Sequence, residues 1–414
     1  MTRIRLLLLV ADTGGGHRAA AQALAHALEE RYPGSFDPVF CDPLGGPAAS
    51  WLLRRVSGLY GPSIRLAPWI WGVVYYGSNS RFAMRLLRWT VLARVDRPIA
   101  EAVRHDRPAA IVSLHPLTGP AAVAAREHAW QPGTPVITLV TDLFTTHAAW
   151  RNGRVDHVVV PSAAAHTRFT RDGMSSDRCT EIGLPVDSSF RGGPLTAWER
   201  ATLRRSLGLG SRQFVVVLTG GGEGSGGIAR RVAALLRRFD DIEVIALCGR
   251  NERLKRKLDA VAACTTGNRL VVRGFVDNMA DWLRCADVVV TKAGPGTIAE
   301  ATCCGVPQVI VSHVPGQEKG NTEFVVSGGA GRRARTVRRL CAVIHELRRD
   351  PAAVAAMRAA SARLGRPDAA HQVAGLLADL VGVPPPQLSR DAAAAMNMTE
   401  TVLPLRAGGG HGPR

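Results

Sequence analysis

The chain opens on a leucine-rich run, Ile4 to Val10, that stops at Ala11-Asp12-Thr13-Gly14-Gly15-Gly16-His17. An alanine-rich helical pattern follows, from about Arg18 to Arg31, closed by Pro33-Gly34. A short apolar run ending in glycines and then a helical period predicts a buried strand that turns tightly into a helix. The theme recurs. Ala109–Leu114, Pro135–Val140 and His157–Val160 are apolar on both faces, as parallel strands covered by helices must be. After Gly183-Leu184-Pro185-Val186 and a polar stretch to Arg212 the cycle restarts. Phe214–Leu218 predicts a strand, Gly220–Gly227 a loop and Ile228–Arg238 a helix. Further strands are expected at Glu243–Leu247, Leu270–Arg273, Val288–Thr291 and Gln308–Val311. The alternation predicts an α/β chain of two similar domains, each opening on strand, glycine loop and helix.

The length of 414 residues suits two such domains, at about 100–200 residues each. Hydrophobic residues at 46% and charged residues at 21% exclude a chain that is disordered throughout. No apolar stretch reaches the roughly 18–20 residues that span a bilayer. The eight cysteines are scattered without a C-x-x-C pair, which reads as small core residues in a reducing compartment rather than a zinc or disulfide framework. From Val383 on, the composition turns to Pro, Ala, Gly and polar residues, and residues 383–414 read as a largely disordered tail.

The net charge of +18 calls for a polyanion or an anionic surface. Its distribution favours the surface over nucleic acid. Between Asp42 and Asp96 there is no acidic residue but seven arginines, Arg85 and Arg88 among them. The same stretch holds Trp51, Trp69, Trp71 and Trp89, half of the eight tryptophans, and three of the four tyrosines. Tryptophan and arginine interleaved with apolar residues suit a segment, about 45–95, that lies in a lipid interface with its guanidiniums at anionic headgroups. A basic helical hairpin packed on its own domain is the plainer alternative.

Glycine after a strand and before a helix lets the backbone approach a diphosphate at the helix N-terminus. Gly14–Gly16, Gly220–Gly227 and Gly294-Pro295-Gly296 all have that form. Neither of the first two fits G-x-G-x-x-G with a following acidic residue or a Walker lysine, so dinucleotide and ATP readings drop.

Val10-Ala11-Asp12-Thr13-Gly14-Gly15-Gly16-His17-Arg18-Ala19 together with Gly220-Gly221-Gly222-Glu223-Gly224 resembles the monogalactosyldiacylglycerol synthase branch of glycosyltransferases, related to the enzyme that adds N-acetylglucosamine to lipid I. Val140-Thr141-Asp142-Leu143, Cys248-Gly249-Arg250-Asn251 and Arg273-Gly274-Phe275-Val276 add to the match. So do Thr291-Lys292-Ala293-Gly294-Pro295-Gly296-Thr297-Ile298-Ala299-Glu300-Ala301 and Pro315-Gly316-Gln317-Glu318-Lys319-Gly320-Asn321. The resemblance implies a GT-B fold, two Rossmann-like domains facing each other across a cleft. Residues 1–186 would bind acceptor and membrane, 187–212 link, and 213–382 bind the UDP-sugar. It implies an inverting transfer of galactose or glucose from a UDP-sugar to diacylglycerol, giving a β-glycolipid, with no metal and no other cofactor. The expected place is the cytoplasmic face of a bacterial plasma membrane, held peripherally. Another lipid acceptor, or a non-catalytic nucleotide-sugar or lipid-binding module, is the alternative.

Inversion needs a base for the acceptor hydroxyl, and by resemblance that base is His17, whose unperturbed pKa near 6.5 suits the task. Capping the alanine-rich helix is its structural alternative, and His115 and His147 are the other candidate bases. Gly15, Gly16 and Asp142 would border the acceptor. UDP leaves with negative charge, which backbone N–H groups at Gly221-Gly222 and at Gly294, Gly296 and Thr297 would receive. Glu300 would accept from the ribose hydroxyls, Phe275 and Val276 would edge the uracil, and Gln317 and Glu318 would hold the sugar hydroxyls. Arg250 would pair with phosphate or cap its strand. Ser225 and Gly227 depart from the Met and Pro of the plant enzymes, which predicts a looser donor loop.

Overall fold

A computed structural model describes residues 3–384, apart from 12–15, 48, 67, 81–83, 85–93, 152–153, 211–213, 266 and 268, with backbone alone at 52, 56, 60–62, 64–66, 68 and 71. Among the described residues twelve strands sort into two six-stranded sheets, all neighbours parallel. The first contains β1 (Ile4–Leu9), β2 (Phe36–Cys41), β3 (Ala110–Ser113), β4 (Val136–Leu139), β5 (His157–Val160) and β6 (Cys179–Glu181) in the order β2-β1-β3-β4-β5-β6. The second contains β7 (Phe214–Thr219), β8 (Ile242–Leu247), β9 (Leu270–Arg273), β10 (Val288–Lys292), β11 (Gln308–Ser312) and β12 (Gly331–Arg333) in the order β12-β11-β10-β7-β8-β9. Counted within its own half, the second order is 3-2-1-4-5-6, that of dinucleotide-binding folds.

Strand order reverses beside β1 in one sheet and beside β7 in the other. Helices on opposite faces diverge at such a point and leave a crevice at the carboxyl ends of the strands. Both glycine turns leave from these two strands. The sequence therefore puts its ligand-type loops where the topology opens a site.

The first helices are α1 (Gly16–Arg31), α2 (Trp51–Leu66) and α3 (Pro68–Ser78). Leu24 and Leu28 of α1 share one buried core with Leu6 and Leu8 of β1. That core continues without a break through Val215, Val217 and Ile298 of the second sheet's layer and Val373 and Leu377 of the helix Ala369–Leu380. The helix Ala369–Leu380 thus lies on α1 in the first domain: Glu30 meets His371 at 2.9 Å and the Arg31 guanidinium donates to the His371 carbonyl at 2.8 Å. Within 187–212 the chain forms the helix Ala197–Ser206, closed by a reciprocal Thr196–Glu199 cap. Arg204 ties it to Asp287 beneath the second sheet at 2.7 Å. Among the described residues no helix is long and apolar enough to cross a membrane.

Candidate active site

His17 is the second residue of α1 and is buried. Its Nδ1 lies 2.9 Å from Thr141 Oγ1, just past β4. Burial brings its pKa down to about 4, opposed by a backbone hydrogen bond to Leu114. The ring is therefore neutral, with desolvation as the main cause, and its pKa lies well below the unperturbed 6.5.

The His115 ring stands edge-on to His17, centroids 5.0 Å apart, and its Nδ1 accepts from Leu117 N at 3.3 Å. Burial and the neighbouring His17 hold it well below its ordinary value. The Trp150 ring is 6.3 Å from His17 and its Nε1 donates to Asp142 Oδ2 at 2.8 Å. Asp142 is buried, which pushes its carboxyl up to about 7; the Trp150 bond opposes the rise and Glu318 adds to it. Glu318 belongs to the second sheet's loops, so the charge at the acceptor side feels a carboxylate across the cleft.

His147 is a structural pin rather than a base. Its Nδ1 accepts from Ala149 N at 3.1 Å, while Nε2 sits 3.2 Å from both Tyr75 O and Ser78 Oγ. It fastens α3 to the loop after β4.

On the donor side, Pro295 is the first residue of the helix Pro295–Cys303, where its missing N–H costs nothing. The amides of Gly296 and Thr297 come next, and nothing crowds Gly296. Gly221 and Gly222 follow β7, and Arg250 N donates to Gly222 O at 2.7 Å, joining the two loops. The Arg250 guanidinium lies over the exposed Phe275 ring at 4.4 Å, a cation–π contact. Val276 is partly buried on the core. Glu300 lies on the same helix as Thr297, partly buried, and burial together with Asp187 raises it to about 7.

The loop with Ser225 and Gly227 is held rather than loose. Arg231 donates to the carbonyls of Gly226 and Gly227, and Ser225 Oγ to Gly220 O at 3.3 Å. Glu318 is buried with both oxygens engaged: Oε1 meets Lys292 Nζ at 2.6 Å and Oε2 accepts from Val314 N at 2.8 Å. Sugar hydroxyls would have to share that carboxylate with Lys292. Gln317, beside it, is half-buried.

Lys292 is the residue that sequence reasoning passed over. It ends β10, and a side chain added at Gly294 would stand 3.2 Å from its Nζ, one at Gly221 3.9 Å from its Cε. A cation therefore sits between the two glycine turns, where a diphosphate would gather charge. Trp150 was missed as well; nothing in its sequence context signals that it would join Asp142 to the His17 pocket. Asn321 Nδ2 donates to Ala293 O at 3.0 Å and fixes the Gly294 turn.

Of the expected membrane residues, Trp69 projects from α3 and is 66% exposed. Trp71 lies on the α3 backbone with its side chain outside the described residues, as are Arg85, Arg88, Trp89, Gly15 and the tail from residue 385. Gly16 opens α1. Among the described residues no group of three or more His, Cys, Asp or Glu side chains is placed to hold a metal ion.

The family profile described as monogalactosyldiacylglycerol (MGDG) synthase matches residues 17–186, and that of the glycosyltransferase family 28 C-terminal domain matches residues 215–373. The chain is 32% identical over 336 residues to a probable monogalactosyldiacylglycerol synthase 2 of Oryza sativa, covering 79% of this chain and 70% of that one. It is likewise 32% identical to monogalactosyldiacylglycerol synthase 3 of Arabidopsis thaliana, with the same coverage. Among solved structures it resembles MurG of Acinetobacter baumannii, with a TM-score of 0.59 at 16% identity over 91% of this chain and 99% of the other. HepE of Anabaena, solved with UDP, aligns with a TM-score of 0.54 at 17% identity over 91% and 100% of the two chains. The two sheets are those of the GT-B fold, and the chain, a glycosyltransferase, belongs to the monogalactosyldiacylglycerol synthase family.

Proposed function

We propose that the protein transfers a galactosyl or glucosyl unit from a UDP-sugar to the free hydroxyl of diacylglycerol, with inversion and without a metal, while docked on a membrane surface. One observation carries the reading. The buried His17–Trp150–Asp142 group of the first domain and the Lys292–Glu318 pair of the second meet across the cleft, close enough for Glu318 to raise the Asp142 carboxyl. This juxtaposition supports a base side that faces a leaving-group side.

In this scheme the acceptor oxygen forms its bond to C1 as the C1–phosphate oxygen bond breaks on the opposite face. His17 takes the hydroxyl proton. The departing UDP carries the electron pair of the broken bond. Its added charge is met by the amides of Gly296 and Thr297 at a helix N-terminus and by Lys292.

The acceptor is a lipid, and α2 and α3 carry the surface to meet it. Trp51 is 67% exposed and Trp69 66%, with Leu59, Val73, Val74 and Tyr76 exposed beside them. Arg54 and Arg55 are exposed on α2, in a stretch without acidic residues. Apolar bodies with basic neighbours suit an anionic bilayer interface. Replacing Trp51 and Trp69 together by Ala is expected to weaken sedimentation with phosphatidylglycerol vesicles by about tenfold or more. UDP binding should not change. Unaltered vesicle binding would move lipid docking off these helices.

The activity is tested with purified protein, vesicles of diacylglycerol and anionic lipid, EDTA, and labelled UDP-galactose or UDP-glucose in separate reactions. A labelled monohexosyl-diacylglycerol is expected from one of them. No lipid product from either donor, with UDP still bound, would exclude diacylglycerol as acceptor.

A further inference from the structure

The helix α3 has two faces with different neighbours. Trp69, Val73 and Tyr76 point outward and are 66%, 65% and 59% exposed. Gly72, Tyr75 and Ser78 point inward: Ser78 and Tyr75 meet His147 of their own domain, while Gly72 and the Tyr75 ring also approach the other domain. A Cβ on Gly72 would lie 3.0 Å from Pro315 Cβ, and a Cβ on Gly316 would lie 2.5 Å from Tyr75 Cγ. Gly316 has φ +84°, so both its backbone and its missing side chain admit the ring. Burial, with the nearby Asp142, pushes the Tyr75 hydroxyl up to about 12. Thr145 fills the space over Gly320, where a Cβ would lie 2.6 Å from it.

The segment 315–320, which carries Gln317 and Glu318, is therefore gripped from two sides. Its own domain holds it through Glu318 to Lys292 and Asn321 to Ala293. The first domain holds it through Tyr75 and Thr145. Three glycines, at 72, 316 and 320, make the close approach possible.

We propose that Tyr75 is a positioning residue for the sugar donor. Its ring occupies the space at Gly316 and sets where the segment 315–318 lies relative to Lys292. The helix presented to the lipid surface thereby also fixes one wall of the donor site in the opposite domain. This rests on the UDP-sugar reading above. A ring is suited to the task because it is stiff and fills volume with only two rotatable bonds. Alanine would leave a void beside a glycine that has no side chain to fill it.

Donor kinetics are measured on the full chain with acceptor vesicles present. Tyr75→Ala is expected to raise the KM for UDP-sugar on the order of tenfold, with kcat changed by less than about threefold. Tyr75→Phe should restore the wild-type KM, since the ring and not the hydroxyl meets Gly316. Vesicle binding should match wild type, because the outward face is intact. Gly72→Leu attacks the same seam from the Pro315 side and should raise the donor KM while favouring the helix.

A variant that merely folds poorly lowers the active fraction, and so kcat, with KM unchanged. Tyr75→Ala and Gly72→Leu both with a wild-type donor KM would overturn the proposal, as would a Phe variant as impaired as the Ala variant. A wild-type protein that binds no UDP-sugar would instead overturn the functional reading on which it stands.

Discussion

A His17→Ala variant is expected to lose about 10²–10⁴-fold in turnover while its KM for UDP-sugar stays near wild type. The ring is buried at the N-terminus of α1, with Nδ1 held by Thr141 at 2.9 Å, and it takes no part in the donor loops. With its pKa near 4 it is neutral above about pH 5 and loses base function only as pH falls through 4. A base this weak accepts the proton late, as the forming bond to C1 makes the hydroxyl acidic. Asp142 behaves differently. Its carboxyl, raised to about 7, is protonated below that pH and a carboxylate above it. If the carboxylate supports proton removal, the kcat/KM profile has its acid limb near pH 7, and Asp142→Asn both lowers the plateau and removes that limb. An acid limb near pH 4 would assign the ionisation to His17 alone. Wild-type turnover in His17→Ala would take the histidine out of the chemistry.

Lys292→Met is expected to lower kcat by about 10²–10³-fold, the scale of losing one leaving-group donor. Nucleotide affinity separates this role from a structural one. Lys292 stands between the Gly221 and Gly294 turns, so its charge should serve the distal phosphate. UDP binding should weaken in the variant while UMP binding stays close to wild type, and Lys292→Arg should recover part of both losses. Equal weakening of UDP and UMP would place the lysine's effect on the loops rather than on the phosphate. The ion pair with Glu318 gives a further reading. When the lysine turns to a bound diphosphate, the Glu318 oxygen it leaves becomes available to sugar hydroxyls.

How far the chain could be read without coordinates depended on where each element sits in its sheet. The central strands β1, β3, β4, β7, β8 and β10 are buried on both faces, so their apolar runs announce them. The strands that the pattern did not show are β2, β6 and β12, each at a sheet edge. β2 contains Pro38, which an edge strand tolerates, and β6 and β12 are three residues long with mixed polarity. The glycine turns were legible because a tight turn restricts the residues that can occupy it. Lys292 was not, because its partner lies 26 residues on and a lone lysine at a strand end looks like any other. His147 looked like a candidate base, and only the partners of its two ring nitrogens show it to be a pin. Tyr75 belonged to an aromatic-rich stretch expected to face lipid, and that expectation hid a ring that turns toward the other domain.

The last helix has a consequence for how the molecule is made. α1 leaves the ribosome more than three hundred residues before Ala369–Leu380, the helix that covers it. At about 5–20 residues per second, α1 waits roughly 15–70 s for that cover. During that interval the nascent domain lacks Val373 and Leu377, which share its buried core. A first domain expressed alone would leave that side of α1 uncovered, and a second domain expressed alone would carry the helix Ala369–Leu380 without its partner. The first half therefore gains its full cover only once that helix of the second half has been made.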